Sequence, residues 1–422
     1  MASELGTILE RVATAQPNCV HKPGAFPMRE RSRLGLVVWS VLVSQVFLYP
    51  GLDETIAALG GSDWILAGTW FLVAEFAAFV ICAVLWGVLS DSLGMRKPLV
   101  VIGAAGGAAS YVAVTLVPRL GFGFGVVLLL RILGGAFTIG AFSLSITMLM
   151  DLSSGHGQNM GAAGTAIGLG AALGSVVGGQ LTTIAPLAPL YGGAVLLSGA
   201  AVIAATVPDR STGSGLPLDV VVERLRSHPA LLVPFAFGYI DRLTAGFFAL
   251  AGVAYFRDTF GIDAATAGVT LALFFVPFAV LQYPIGSLSD RTGRFLPVVA
   301  GSMLYGVSII AVALAPGYVI AAALMVVVGI WGALVSPTTM ALVTDIVPAT
   351  DRGAAMGGFN VFGSLGMLSG FLIGGVVAEL YTDLVAFLVA GGLEIAIALL
   401  ASRSVRRITA SDAAPFGGVD GN

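Results

Sequence analysis

Charge is what this chain has least of. Only 10% of its 422 residues are Asp, Glu, Lys or Arg, against roughly 25% in a soluble globular domain. A water-facing surface of ordinary polarity cannot be built from so few. Histidine is as sparse: His21, His156 and His228 all fall in polar connections, which excludes a His-Glu-x-x-His zinc site. The two cysteines, Cys19 and Cys82, lie far apart in different surroundings, so neither a disulfide framework nor a metal cluster follows. Cys82, inside an apolar run, reads as a small packing residue. There is no excess of cations: Lys and Arg number 20, Asp and Glu 23, and the net charge is −3. That removes the electrostatic footprint expected of a nucleic-acid partner. No phosphate-binding loop ending in Gly-Lys-Ser/Thr occurs, so ATP is not used through that device. The chain is not expected to be an enzyme or to carry a cofactor or metal.

What the chain has is apolar length. Hydrophobic residues make up 57% of it, and the mean hydropathy is +0.97. Runs of roughly 20 apolar residues, the length that spans a bilayer as a helix, recur throughout. Only helices and closed barrels satisfy their backbone in lipid, and these runs are far longer than barrel strands. The expectation is an all-α membrane protein of twelve spans: 34–52, 64–89, 98–117, 122–149, 159–184, 189–207, 231–256, 266–288, 295–315, 318–343, 355–378 and 384–402. The one sizeable hydrophilic connection, 208–230, divides them six and six. The expected plan is a tail over 1–33, a six-helix bundle over 34–207, a linker over 208–230, a second bundle over 231–402 and a tail over 403–422. Leu5, Ile8, Leu9 and Val12 are spaced for a short surface helix, though the segment reads equally as a plain tail; no apolar stretch with a cleavage site marks a removed leader. Leu218, Val221, Val222 and Leu225 line one face of a short linker helix.

Lys and Arg concentrate on one side: Arg29, Arg31, Arg33, Arg96, Lys97, Arg210, Arg224, Arg226, Arg291, Arg294, Arg352, Arg403, Arg406 and Arg407 are among them. The other side has Arg119 and Arg257. The bias makes the first side cytoplasmic and puts both termini there, in the plasma membrane. Asp53, Glu54, Asp63, Asp258, Asp263, Glu379 and Asp383 then face outward.

The two halves repeat. Gly87, Leu89, Ser90, Asp91 and Gly94, in the turn after span 2, recur as Gly286, Leu288, Ser289, Asp290 and Gly293 after span 8. Span 5 carries Gly161, Gly170, Gly174, Gly178 and Gly179. Span 11 carries Gly357, Gly366, Gly370, Gly374 and Gly375 at one constant offset. Glycines four apart share a helix face and let a second backbone approach in lipid. Five in register argue for duplication, which is typical of transporters with a site between the halves.

Charges inside spans are costly and usually functional. They are Glu75, Arg131, Asp241, Arg242 and Glu394. Spans 2 and 4 both enter from outside, and at ~1.5 Å per residue Glu75 and Arg131 reach similar depth. They can form an ion pair, and the carboxyl can either carry a coupling proton or merely orient two helices. Asp241 and Arg242, neighbours near the middle of span 7, point about 100° apart. Gln45 matches their depth in span 1.

Gly87-x-x-x-Asp91-x-x-Gly94-x-Arg96 resembles the signature of the major facilitator superfamily between spans 2 and 3, and Gly286–Arg294 its second-half echo. Arg131 with Gly134 and Gly135 is similar to the arginine motif of the drug–proton antiporter branch. The span 5 glycines fit that branch's spacing, with Ser175 where the pattern has proline. The resemblance implies twelve helices in two pseudo-symmetric bundles, with spans 1, 4, 7 and 10 around a central site holding Gln45, Arg131 and Asp241. It implies a cytoplasmic gate in which Asp91 meets the start of span 11 near Gly357 and Arg96 pairs with Asp151. Asp290, Arg294 and Asp345 would be the counterparts. It makes span 12 an outer helix, so Glu394 is expected to pack or snorkel. Phe247, Phe248 and Phe274 lie in spans near the supposed cavity and would suit a lipophilic solute, but packing in the core or against lipid is the stronger reading. The function expected is alternating-access transport driven by a gradient: proton-coupled efflux of small lipophilic compounds by a monomer, with the bilayer, protons and a small molecule as partners. Uptake of a metabolite such as an organic anion, suited by Arg131 and Arg242, is the alternative, and a transport-inactive receptor or scaffold the remote one.

Overall fold

The computed structural model describes residues 28–151, 156–209, 223, 225–348 and 351–411. The proposed surface helix around Leu5 and Val12, the linker residues Leu218, Val221 and Val222, and the last residues of the C-terminal tail lie outside them. The described residues are helical, with no strand among them. Helix α1 is Met28–Val46 and short α2 is Leu52–Ala58. Then come α3 (Trp64–Leu93), α4 (Lys97–Leu116), α5 (Phe124–Asp151), α6 (His156–Ile184) and α7 (Ala188–Ala205). The second half has α8 (Leu232–Phe247), a π-helical turn over Phe248–Gly252, and α9 (Val253–Phe260). It continues with α10 (Ala264–Thr292), α11 (Phe295–Ala313), α12 (Tyr318–Ile346), α13 (Arg352–Leu380) and α14 (Asp383–Ser411).

Eleven of the described helices are long and apolar enough to cross a membrane. The twelfth long helix, α1, holds Glu30, Arg31 and Arg33 in its first two turns, which dilutes its apolar share. Both outer boundaries differ from expectation. Helix α1 starts at Met28, inside the expected tail, and ends at Val46, short of the expected 52. Helix α14 runs to Ser411, past the expected 402. Arginines near helix ends carry long stems that reach polar surroundings, so the helix need not stop where the apolar run does.

The duplication legible in sequence is carried into the element ends. Asp63 caps α3 by accepting from Leu66 N at 3.1 Å, and Asp263 caps α10 by accepting from Thr266 N at 2.8 Å. Gly94, which ends α3, has φ +64, a left-handed conformation that glycine adopts without a Cβ penalty.

The packing has the same two-fold pattern. In the first half α3 and α4 pack on α5, α4 on α7, and α1 on α5, α6 and α7. In the second, α10 and α11 pack on α12, α11 on α14, and α8 on α12, α13 and α14. Every first-half contact has its counterpart. The halves meet through α6 against α10 and α3 against α13, again an equivalent pair. The glycines explain the closeness. A Cβ on Gly178 would sit 2.4 Å from the Phe47 carbonyl oxygen of the chain leaving α1, and one on Gly370 2.2 Å from that of Leu243 on α8. The last glycine of each set crosses to the opposite half: Gly179 lies against the Ala264 carbonyl, Gly375 against Thr69.

These crossings lie toward the face that carries Arg257. Toward the face that carries Asp91, a Cβ on Gly87, Gly353 or Gly357 would meet no described neighbour within 4 Å.

Candidate functional site

Two sets of buried ionisable side chains sit inside the bundles, one per half. In the first, Glu75 on α3 and Arg131 on α5 form a direct ion pair. Each side chain is 1% exposed. The guanidinium lies over the Phe71 ring at 4.1 Å and near the Tyr111 ring at 5.3 Å, positions where a cation is attracted to the ring quadrupole. Gln45 from α1 and Tyr111 from α4 stand against the Glu75 carboxyl. The Tyr111 hydroxyl donates to the Ser44 carbonyl at 3.4 Å. A carboxylate and a guanidinium taken out of water are tolerable only as a pair. Here four helices contribute to that one pair, so its charge state is tied to how they pack. A backbone contact adds to this: a Cβ on Gly135, one turn beyond Arg131, would fall 2.4 Å from the Glu75 carbonyl oxygen. Glycine is what lets α5 reach α3.

In the second half Asp241 is buried, with Ser336 of α12 against its carboxyl. Arg242 Nε is 4.0 Å from Asp241 Oδ2, and the Arg242 side chain is 39% exposed. Asp241 is thus the inward-pointing member and Arg242 the outward one, packed beside Gly363 of α13. Gln45, Glu75 and Arg131 are brought together. Asp241 stands apart from them, with its own partners in the other half.

Glu394, expected to pack or snorkel on an outer helix, does not snorkel. It is fully buried, accepting from Ser302 of α11 and, at 3.5 Å, from Thr244 of α8. Helix α14 turns this face inward because Gly391 meets Gly306 of α11 backbone to backbone, with 2.5 Å between a Cβ on either and the other's carbonyl oxygen. The Gly391–Gly392 pair was the available signal in the sequence. The aromatics follow the packing reading. Phe247 and Phe248 pack on each other and on Phe387, and Phe274 packs on Phe248, at centroid distances of 4.8–6.1 Å; they are buried core.

Of the expected gate residues, Arg294 meets Asp345 at 3.1 Å and donates to the Ser289 hydroxyl oxygen at 2.7 Å. Arg96 meets Asp91 in its own turn at 3.4 Å. The side chains of Asp151 and Asp290 lie outside the described residues, as does the surrounding of Gly161. A Cβ on Gly357 would meet no described atom within 4 Å, so Asp91 is not brought against it. Asp209, at the start of the expected linker, was missed: its carboxylate accepts from Arg96 N and Lys97 N at 2.9 and 3.0 Å, capping α4 from outside its own sequence neighbourhood. No cluster of His, Cys, Asp and Glu fit for a metal ion occurs among the described residues.

Known proteins match this chain in part. The sequence model of the Major Facilitator Superfamily matches residues 235–418. An uncharacterized transporter of that type from Methanocaldococcus jannaschii is 34% identical over 164 residues, 36% of this chain and 42% of that protein. The class G tetracycline resistance protein of Vibrio anguillarum is 28% identical over 308 residues, 69% of this chain and 75% of that one. The crystal structure of a human organic anion transporter superposes with a TM-score of 0.66 at 20% identity, covering 88% of this chain and 99% of that one. The fold is that of the superfamily, and the matches support a transporter of this type.

Proposed function

Proceeding from a duplicated helical bundle of the major facilitator fold, we propose a secondary transporter that works by alternating access and exchanges protons for a small lipophilic solute, which it exports. One observation carries this reading: a lone carboxyl, Glu75, is shut in the interior against a lone guanidinium, Arg131, with Gln45, Tyr111 and Phe71 around them. Burial and a neighbouring charge together are what let a carboxyl trade a proton as helices move. Similarity to a tetracycline resistance protein supports export of an apolar, aromatic compound. The Asp91 face is assigned to the cytoplasm from the Lys and Arg bias, in the plasma membrane, with a chain that acts as a monomer and divides at 208–230. Asp91, Arg96 and Asp151, with Asp290, Arg294 and Asp345, form the cytoplasmic gate that closes when the halves rock the other way.

The test is transport into inverted proteoliposomes under an imposed pH gradient, with tetracycline as first probe and a panel of lipophilic compounds behind it. Glu75→Gln should remove the gradient's effect while leaving gradient-independent exchange. Gradient-driven uptake that survives Glu75→Gln ends the assignment of Glu75.

A second reading, movement of an organic anion, rests on Arg242, whose half-exposed guanidinium offers a fork suited to a carboxylate. Loss of anion transport in Arg242→Ala with export of lipophilic compounds absent would favour it.

A further inference from the structure

On the Arg257 face one cation ties the halves together. Arg257, on α9, reaches across to the segment that follows α1. Its Nη1 donates to the Pro50 carbonyl at 3.0 Å and to Glu54 Oε2 at 2.9 Å, and its Nη2 lies 3.0 Å from Asp53 Oδ2. Three groups of one half thus converge on one side chain of the other, and that side chain is 12% exposed. The remaining charges nearby are all negative: Asp258 beside Arg257 on α9, Asp263 capping α10, and Asp383 at the start of α14. None is a second cation for the pair of carboxylates. The arithmetic is unfavourable for two ionised acids: one guanidinium against Asp53 and Glu54 leaves a net negative charge in a half-buried seam. Asp53 Oδ1, moreover, is buried with no hydrogen-bond donor on it, the place where a proton would bridge to Glu54.

We propose that Arg257, Asp53 and Glu54 form a proton-binding latch, whose closed form seals this face and holds one proton that the open form releases. The latch rests on the alternating-access reading but on neither the solute nor the role of Glu75. Burial first, and then a hydrogen bond to Glu54, pushes Asp53 up to about 7, against the pull of Arg257. Burial also opposes the charge on Glu54, but hydrogen bonds from Asp53 and Arg257 outweigh it and hold Glu54 below its usual value. The two acids thus divide their roles: Glu54 stays ionised for Arg257, and Asp53 takes the proton. When the face opens, Asp53 meets water and returns toward an ordinary carboxylate value of roughly 4. Between those limits the closed form binds one proton more than the open form. Closure is therefore strongest in acid, weakens about tenfold per pH unit as pH rises through that window, and levels off above 7. A proton arriving from the medium on this side shuts the door behind it.

The test reads opening directly. Thr69, buried against Gly375 of the other half, is replaced by Thr69→Cys in a background with Cys19→Ser and Cys82→Ser. The rate of its modification by a bulky hydrophilic thiol reagent is measured in nanodiscs, divided by that of the exposed Thr259→Cys to remove the thiol's own pH dependence. The normalised rate should rise at least tenfold from pH 5 to pH 7.5. Arg257→Ala should raise it at every pH, and Asp53→Asn should hold it low and flat. A rate that ignores pH in the parent, or that Arg257→Ala leaves unchanged, overturns the proposal. Should Arg257→Ala not fold, Asp53→Asn decides alone: pH dependence that survives it is fatal. Neither substrate nor gradient is needed, so the outcome stands apart from that of the transport assay.

Discussion

A single side chain can be read for what its removal would strand. Arg131→Ala would leave Glu75 buried and unpaired, which typically costs 3–5 kcal/mol. Thermal melting of the purified variant should show a drop of that order, unlike the small effect of most surface changes. Adding Glu75→Gln should restore much of it, because the stranded charge is then gone. Recovery that fails would mean Arg131 is held for its contacts with Phe71 and Tyr111 rather than for its charge. This pair was legible in sequence because helical rise fixes depth, and depth was all the argument needed. Glu394 was not legible. Its depth was just as plain, but which way it points depends on where α14 touches α11, and that is settled by a glycine contact between helices far apart in the chain.

An element is held by the places where it has no side chain. Gly366 of α13 lies so close to the Tyr239 carbonyl of α8 that a Cβ would overlap it, whereas a Cβ on Gly357, two and a half turns earlier, would meet no described atom. The same substitution should therefore part the two: Gly366→Ala costs 1–3 kcal/mol, as overpacking does, and Gly357→Ala leaves melting unchanged. Equal melting temperatures would refute the packing. The register of these glycines was visible because duplication preserves spacing. What each one touches was not, since spacing says nothing about partners. The π-helical turn after α8 left no mark in the sequence either: Phe248–Gly252 reads like any apolar run, with no proline to announce it.

At the scale of the whole molecule, the halves meet on the Arg257 face. Thr69 Cβ is 3.0 Å from where a Cβ on Gly375 would be, closer than the roughly 3.5–4.5 Å of a disulfide, so a small outward shift brings two thiols into bonding geometry. Oxidising the double variant Thr69→Cys, Gly375→Cys should cross-link α3 to α13 and stop transport, and a reductant should restart it. Transport that continues in the cross-linked protein would show that the halves need not separate there. The twelve-span, two-half plan could be drawn from apolar runs and repeated turns. The resting geometry could not, because a sequence that encodes both arrangements of the halves does not say which one is lower in energy.

The wide turn at Phe248–Gly252 has one more bearing. It accommodates an additional residue between the interior of α8 and the arginine that grips the opposite half. Taking that residue out would straighten the rod but swing everything beyond it by about 100° and draw it back by ~1.5 Å. Arg257 would then aim at lipid or solvent instead of at Asp53. The aromatic collar of Phe247, Phe248 and Phe387 holds the irregularity in place, so the bulge serves as the clocking of a key: it costs helix regularity and sets the angle at which the bolt meets its keeper.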